Sequence, residues 1–98
     1  METLTPAVFH ILLALTDQER HGYAIMQQVA AATNNAFTMR PGTLYGTIKR
    51  MLDAGFVEEC GERSDPEMNA ERRRYYRITA KGRRAGVEEA KRLDALVR

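Results

Sequence analysis

Residues 40–59 read RPGTLYGTIKRMLDAGFVEE, and this stretch decides the fold. Pro41 suits the first position of a helix, where its missing N–H costs nothing and its fixed φ is already helical. Leu44, Ile48, Met51 and Leu52 then recur at the spacing of one helix face. Gly55 supplies the left-handed exit that ends such a helix, and FVEEC continues as an extended run. With the apolar stripe turned inward, the outer surface is left to Thr43, Tyr45, Gly46, Thr47, Lys49 and Arg50. No carboxylate interrupts residues 40–52.

Upstream, Thr5-Pro6 reads as a cap and first turn, followed by Val8, Ile11, Leu12 and Leu15 on one face, a helix over about residues 5–16. TDQER is a polar connector. Gly22, Ile25, Met26 and Val29 mark a second helix over about 21–33, stopping at Asn34-Asn35, and AFTM is a short extended piece. Downstream, FVEEC and RRRYYRI are strand-like and flank a polar loop, GERSDPEMNAE, with turn chemistry at Gly61, Asp65-Pro66 and Asn69. Thr79 caps a last helix over about 80–97.

The order helix, helix, helix, strand, strand, helix describes a mainly α fold with a small β-hairpin, the winged helix-turn-helix arrangement. In that arrangement the third helix enters a DNA major groove and the hairpin reaches the backbone beside it. Residues 1–78 are expected to form the DNA-binding domain and residues 79–98 a dimerisation helix, with Ala90, Leu93, Leu96 and Val97 as its interface.

The 98-residue length allows one small domain with a modest core, and 44% hydrophobic against 29% charged residues indicates a globular chain. VFHILLAL is too short for a membrane span and has no basic leader, so no secretory signal is expected. A single cysteine, Cys60, cannot staple the fold, which points to a reducing cytoplasm. The net charge is only +2, but its distribution is uneven. Residues 58–71 hold six acids and one base, whereas residues 72–87 hold seven bases and no acid. Such asymmetry suits a surface that faces a polyanion.

Each outward residue of the third helix has its own reason to meet DNA. The backbone N–H groups near Gly42 and Thr43, with the helix dipole, attract a phosphate. Thr43 and Thr47 offer hydroxyls, Lys49 and Arg50 offer cationic donors, and Tyr45 fits equally as a core aromatic or as a contact. Arg72, Arg73 and Arg74 lie nearest the hairpin tip and are the expected wing contacts, while Glu62, Asp65, Glu67 and Glu71 are expected to bend away or pair with them. Catalysis has little to work with: Ser64 is the only serine, and Cys60, His10 and His21 are scattered. One cysteine and two separated histidines do not form a zinc set, and no cofactor is expected. The remaining rivals are a winged helix that binds protein and a redox- or metal-responsive regulator using Cys60.

LTPAVFHILLAL, HGYAIMQQV, PGTLYGTIKRMLDAGFVEE and RRRYYRITAKG, in this order, resemble the PadR family of bacterial transcriptional regulators over about residues 4–84. The resemblance implies a homodimer formed through the C-terminal helix. It also implies repression of a nearby operon, relieved by a small hydrophobic or phenolic ligand, with double-stranded DNA as partner. By motif position it carries Thr43, Tyr45, Lys49 and Arg50 over as recognition-helix residues, and Arg73 and Arg74 as wing residues. Two positions depart from the family pattern. Arg40 stands where a small capping residue is usual and is placed to meet a phosphate, and Gly46 stands where a second proline is usual. The likeness is to the short subgroup, so an effector is expected to sit between subunits.

Overall fold

The computed structural model describes residues 3–67 and 69–98. Side-chain caps fix the starts of three helices. Thr5 accepts the N–H of Val8 and begins α1 (Pro6–Ala14). His21 accepts the N–H of Ala24 through Nδ1 and begins α2 (Gly22–Ala32), and Thr79 accepts the N–H of Gly82 and begins α4 (Ala80–Val97). Between them lies α3 (Pro41–Ala54), which starts at Pro41 and leaves through Gly55 at φ 79°. Helix α2 ends where Asn34 and Asn35 take positive φ, a conformation asparagine tolerates better than most residues.

The expected hairpin is a three-stranded antiparallel sheet in the order β1-β3-β2. The added strand, β1 (Arg20–His21), lies inside the segment read as a connector and pairs with Tyr75 and Tyr76. Strands β2 (Val57–Asp65) and β3 (Asn69–Ile78) run much further than FVEEC and RRRYYRI, so most of the expected long loop is strand. The register slips between Glu59 and Glu62, where two residues of β2 oppose one of β3, and Gly61 takes φ 128° at this bulge. Met68 and the side chains of Asn69 and Ala70 lie outside the described residues, and with them the turn role expected of Asn69.

The core forms where α1, α2 and α3 converge under the sheet: Ile11, Leu12, Leu15, Ile25, Val29, Leu44, Ile48, Met51, Val57 and Tyr76 are buried together. Each large side chain that leaves water here contributes roughly 1.5–3 kcal/mol. Polar ties lock the periphery to it. Arg20 donates to the Ala14 carbonyl and to Asp17 and Gln28, joining the end of α1 to α2. Glu89, buried on α4, takes a two-point contact from Arg92 at 3.0 and 2.6 Å and accepts the N–H of Leu4. The Arg92 guanidinium holds that carboxyl below its ordinary value.

At the base of the wing, Gly82 is packed so tightly that a Cβ there would stand 2.0 Å from the Phe56 carbonyl oxygen, which is backbone and has no room to move. At Gly86, four residues on, a Cβ would meet only Leu12 at 3.8 Å. Gly82→Ala is therefore expected to destabilise the chain by about 2 kcal/mol or more through overpacking. Gly86→Ala is expected to stabilise it by roughly 0.5–1 kcal/mol through helix propensity. Urea midpoints of the two variants check the contrast.

His21 Nε2 lies 2.9 Å from Asp65 Oδ2, so the imidazole that caps α2 also holds the far end of β2. The hydrogen bond from His21, then that from the Glu67 N–H, lowers the pKa of Asp65. A depressed carboxylate contributes stability above its unfolded value, about 3.9, and that contribution is lost as pH falls through the folded value. The stability deficit of Asp65→Asn, followed by thermal melting, should be constant above about pH 5 and shrink as pH falls below about 4.

Candidate nucleic-acid interface

Helix α3 divides its residues much as its spacing requires. Leu44, Ile48 and Met51 are buried, Leu52 is half-buried, and Arg40, Gly42, Thr43, Tyr45, Lys49 and Arg50 are exposed. Thr47 departs from expectation. It is 0% exposed and belongs to the inner side, with its hydroxyl donating to the Thr43 carbonyl at 2.7 Å and accepting from Arg50 Nη2 at 3.2 Å. A small β-branched residue on the boundary of a stripe packs inward once its one hydroxyl proton finds a carbonyl a turn back.

The first turn of α3 is open. Arg40 makes no side-chain cap bond, and a Cβ at Gly42 would meet nothing within 4 Å. Backbone N–H groups left without a side-chain acceptor at a helix N-terminus favour an anion. Gly46 is equally uncrowded, since a Cβ there would touch only Arg50 Nη1 at 3.8 Å. Tight helix packing is therefore not what requires glycine at position 46.

Tyr45 takes both of the places open to it. It is 48% exposed, yet its phenol lies over Gly22, where a Cβ would stand 2.5 Å from the hydroxyl. The bare backbone at the start of α2 makes the seat for this ring, and about half of the residue stays exposed.

The distribution of ion pairs separates the two halves of the expected interface. On the wing, arginines and acids neutralise one another: Arg72 pairs with Glu62 at 3.7 Å, Arg74 with Glu59 at 3.8 Å, Arg73 with Glu71 at 3.9 Å and Arg77 with Glu58 at 2.6 Å. Of the acids expected to bend away or pair with the arginines, Glu62 and Glu71 pair with them, whereas Asp65 turns to His21. On α3, among the described residues, no carboxylate forms an ion pair with Arg40, Lys49 or Arg50.

Arg73 is less available than its neighbours. It is 23% exposed on the side chain, its guanidinium lies 5.6 Å from the Tyr23 ring centroid, and its Nε is buried without a hydrogen-bond partner. Opposite it in the sheet stands Arg63, a residue that alternation alone did not single out. Its guanidinium lies 3.6 Å over Tyr75 and pairs with Glu19. The signal for Arg63 was its place as the one base in an acidic block, but the bulge at residues 60–61 hides which face it takes.

Cys60 is half-buried, with Sγ 3.4 Å from a Glu19 carboxylate oxygen. Burial, and then that carboxylate, push its thiol above the ordinary value, the opposite of what a reactive thiolate needs. His10 stacks on Phe37 with ring centroids 4.4 Å apart.

At the far end of the molecule, Leu93 is partly exposed and Leu96 and Val97 are 68% and 83% exposed, with Ala90 also at the surface. An open groove of about 1360 Å³ runs along the first half of α4, lined by Leu4, Phe56, Ala80, Ala85 and Val87 with Arg84 and Arg92 at its sides.

Residues 11–88 match the Transcriptional regulator PadR-like family. The chain is 32% identical over 89 residues to Transcriptional regulator Rv3488 of Mycobacterium tuberculosis, covering 91% of this chain and 77% of that protein. It is 35% identical over 74 residues to an uncharacterized protein of Lysinibacillus sphaericus, covering 74% of this chain and spanning 64% of the relative's length. Among solved structures, a PadR family transcription regulator from Clostridium difficile superposes with a TM-score of 0.77 at 23% identity, over 94% of this chain and 91% of that one. Bacillus subtilis PadR in complex with operator DNA superposes with a TM-score of 0.69 at 19% identity, over 95% of this chain and 48% of that one. These superpositions establish the winged-helix fold. With that fold, and with residues 11–88 matched, the chain belongs to the PadR-like family of transcriptional regulators, not to a family of enzymes.

Proposed function

We propose that this regulator binds double-stranded DNA sequence-specifically as a homodimer, represses transcription, and is released by a small hydrophobic or phenolic ligand. The observation that carries the DNA reading is the outer face of α3. Arg40, Lys49 and Arg50 stand there with no carboxylate partner among the described residues, beside the open N-terminus of the helix. A duplex exposes phosphates along its groove walls and base edges on its floor, and a helix with free N–H groups at one end and unpaired cations along one side matches both. A protein of the same fold, Bacillus subtilis PadR, in complex with operator DNA supports DNA as the partner, and α3 is the helix that a winged helix-turn-helix lays in the major groove. Arg72 and Arg74 are assigned to the flanking phosphates, at the cost of loosening their ion pairs, and Arg73 to a supporting role beneath them.

Dimerisation is supported by the apolar end of α4. Leu93, Leu96 and Val97 have no core of their own chain to cover them, and a two-fold protein reads a pseudo-palindrome whose half-sites lie about one helical turn apart. The ligand reading is supported by the apolar groove at the start of α4, which abuts the wing base at Phe56.

Selection from a random duplex pool tests specificity directly, and enrichment of one two-fold sequence is the expected outcome. Binding to the selected duplex should weaken steeply with salt. Lys49→Ala should reduce the log–log salt slope by about one unit, the count expected for one lost phosphate contact. No enrichment over random duplex at any salt would overturn sequence-specific regulation.

Leu96→Asp and Val97→Asp should shift the sedimentation mass from dimer to monomer while circular dichroism stays unchanged. A wild-type monomer at micromolar concentration would refute the dimer.

A further inference from the structure

Arg50 is the one cation of the outer α3 face whose direction is already set. Its side chain folds back toward the N-terminus of the helix, as side chains on helices lean. Nη2 reaches the Thr47 hydroxyl at 3.2 Å, one turn back. Nη1 passes the bare Cα of Gly46, where a Cβ would lie 3.8 Å away. Thr47 is well suited to hold it. It is fully buried, its β-branched side chain has little rotamer freedom, and its only proton is committed to the Thr43 carbonyl at 2.7 Å. The hydroxyl can therefore meet Arg50 only as an acceptor, and it does so from one fixed point. Lys49, on the adjoining position, has no such tether among the described residues and remains a mobile point charge.

Resting on the DNA reading above, we propose that Arg50 is the residue of α3 that reads sequence, by a two-point contact to a guanine edge, and that Thr47 is a positioning residue that aims its guanidinium without touching the duplex. One N–H of the guanidinium fork is held by Thr47, and the others stay free to donate. Paired donors in a fixed plane match the O6 and N7 acceptors that guanine alone presents together in the major groove. An ammonium on a flexible stem neutralises phosphate equally well but does not make that planar match. Lys49 and Arg50, adjacent in sequence and equal in charge, therefore divide the work: Lys49 supplies affinity for any duplex and Arg50 supplies discrimination.

The test compares binding to the duplex selected by the wild-type chain with binding to the same composition shuffled, at one salt concentration. The ratio of the two affinities is insensitive to a loss of folded protein, which lowers both alike. Lys49→Ala should weaken both duplexes equally and leave the ratio unchanged. Arg50→Lys, which keeps the charge and loses the fork, should lower the ratio on the order of tenfold or more, the range of a bidentate base contact. Thr47→Val, which keeps shape and removes the acceptor, should lower the ratio in the same direction, Thr47→Ser should restore it, and Gly46→Ala should leave it near the wild-type value. Replacing operator guanines with 7-deazaguanine, which lacks the N7 acceptor, should weaken the wild type and not Arg50→Lys. If the wild type discriminates but Arg50→Lys or Thr47→Val keeps its full ratio, this assignment is wrong while the DNA reading stands. If the wild type enriches no sequence, both fall.

Discussion

Everything in this fold turns on the backbone of two residues, Gly55 and Phe56. Gly55 leaves α3 in the left-handed conformation, and the Phe56 N–H still closes onto the Met51 carbonyl at 2.9 Å, so the helix end and the strand start share one set of hydrogen bonds. The Phe56 carbonyl accepts the N–H of Thr79, and the Thr79 hydroxyl donates to the Gly55 carbonyl, which brings the end of β3 to the same point. Lys81 donates to the Ala54 carbonyl, and Gly82 lies against Phe56 with no space for a side chain. The exit of α3, the root of the wing and the entry of α4 are therefore fixed to one another by contacts that converge on the main chain of residues 54–56. The angle between the helix assigned to DNA and the helix assigned to the dimer passes through this junction.

That junction explains how a chain with a net charge of only +2 presents a basic face. The sheet gathers the acidic block of β2 against the basic block of β3, and the cross-strand register sets Glu58 opposite Arg77 and Glu62 opposite Arg74. Exposed pairs of this kind contribute little to stability, typically 0–1 kcal/mol. Their larger effect is on the field: the wing is close to self-neutral, and among the described residues the cations without a carboxylate partner stand on α3 and its cap, at Arg40, Lys49 and Arg50, and at the start of α4, at Lys81, Arg83 and Arg84.

Much of this was legible in the sequence because it depends on short-range rules. Pro41, Gly55, Thr5 and Thr79 mark boundaries through backbone chemistry that acts within a few residues, and the stripes on α1, α2 and α3 follow helical spacing. Strand β1 was not legible, because two residues carry no periodicity and Arg20-His21 becomes a strand only when β3 lies beside it. The length of the wing is hidden in the sequence for a related reason. Residues 61–65 are polar on both faces, so no alternation marks them as strand, and the bulge at Gly61 breaks the pattern where it would begin. Thr47 falls outside the stripe of Leu44, Ile48, Met51 and Leu52 and so reads as outward, and the carbonyl that satisfies it is visible only once the helix is built.

Tyr45 shows why a strict division between core and contact fails on so small a domain. A helix that must both pack against two others and present a groove-sized face has few positions to spare, so one side chain serves both purposes. The ring leans on Gly22, whose lack of a side chain lets α2 begin directly beneath it, and half of the ring is still left to solvent. His21, next to that glycine, caps α2 and reaches Asp65 at the end of β2. The pair His21-Gly22 thus connects the outer face of α3 to the wing through the first turn of α2. The far end of β2 and the seat of Tyr45 are therefore anchored on two adjacent residues, so the two elements assigned to DNA share one support at the start of α2.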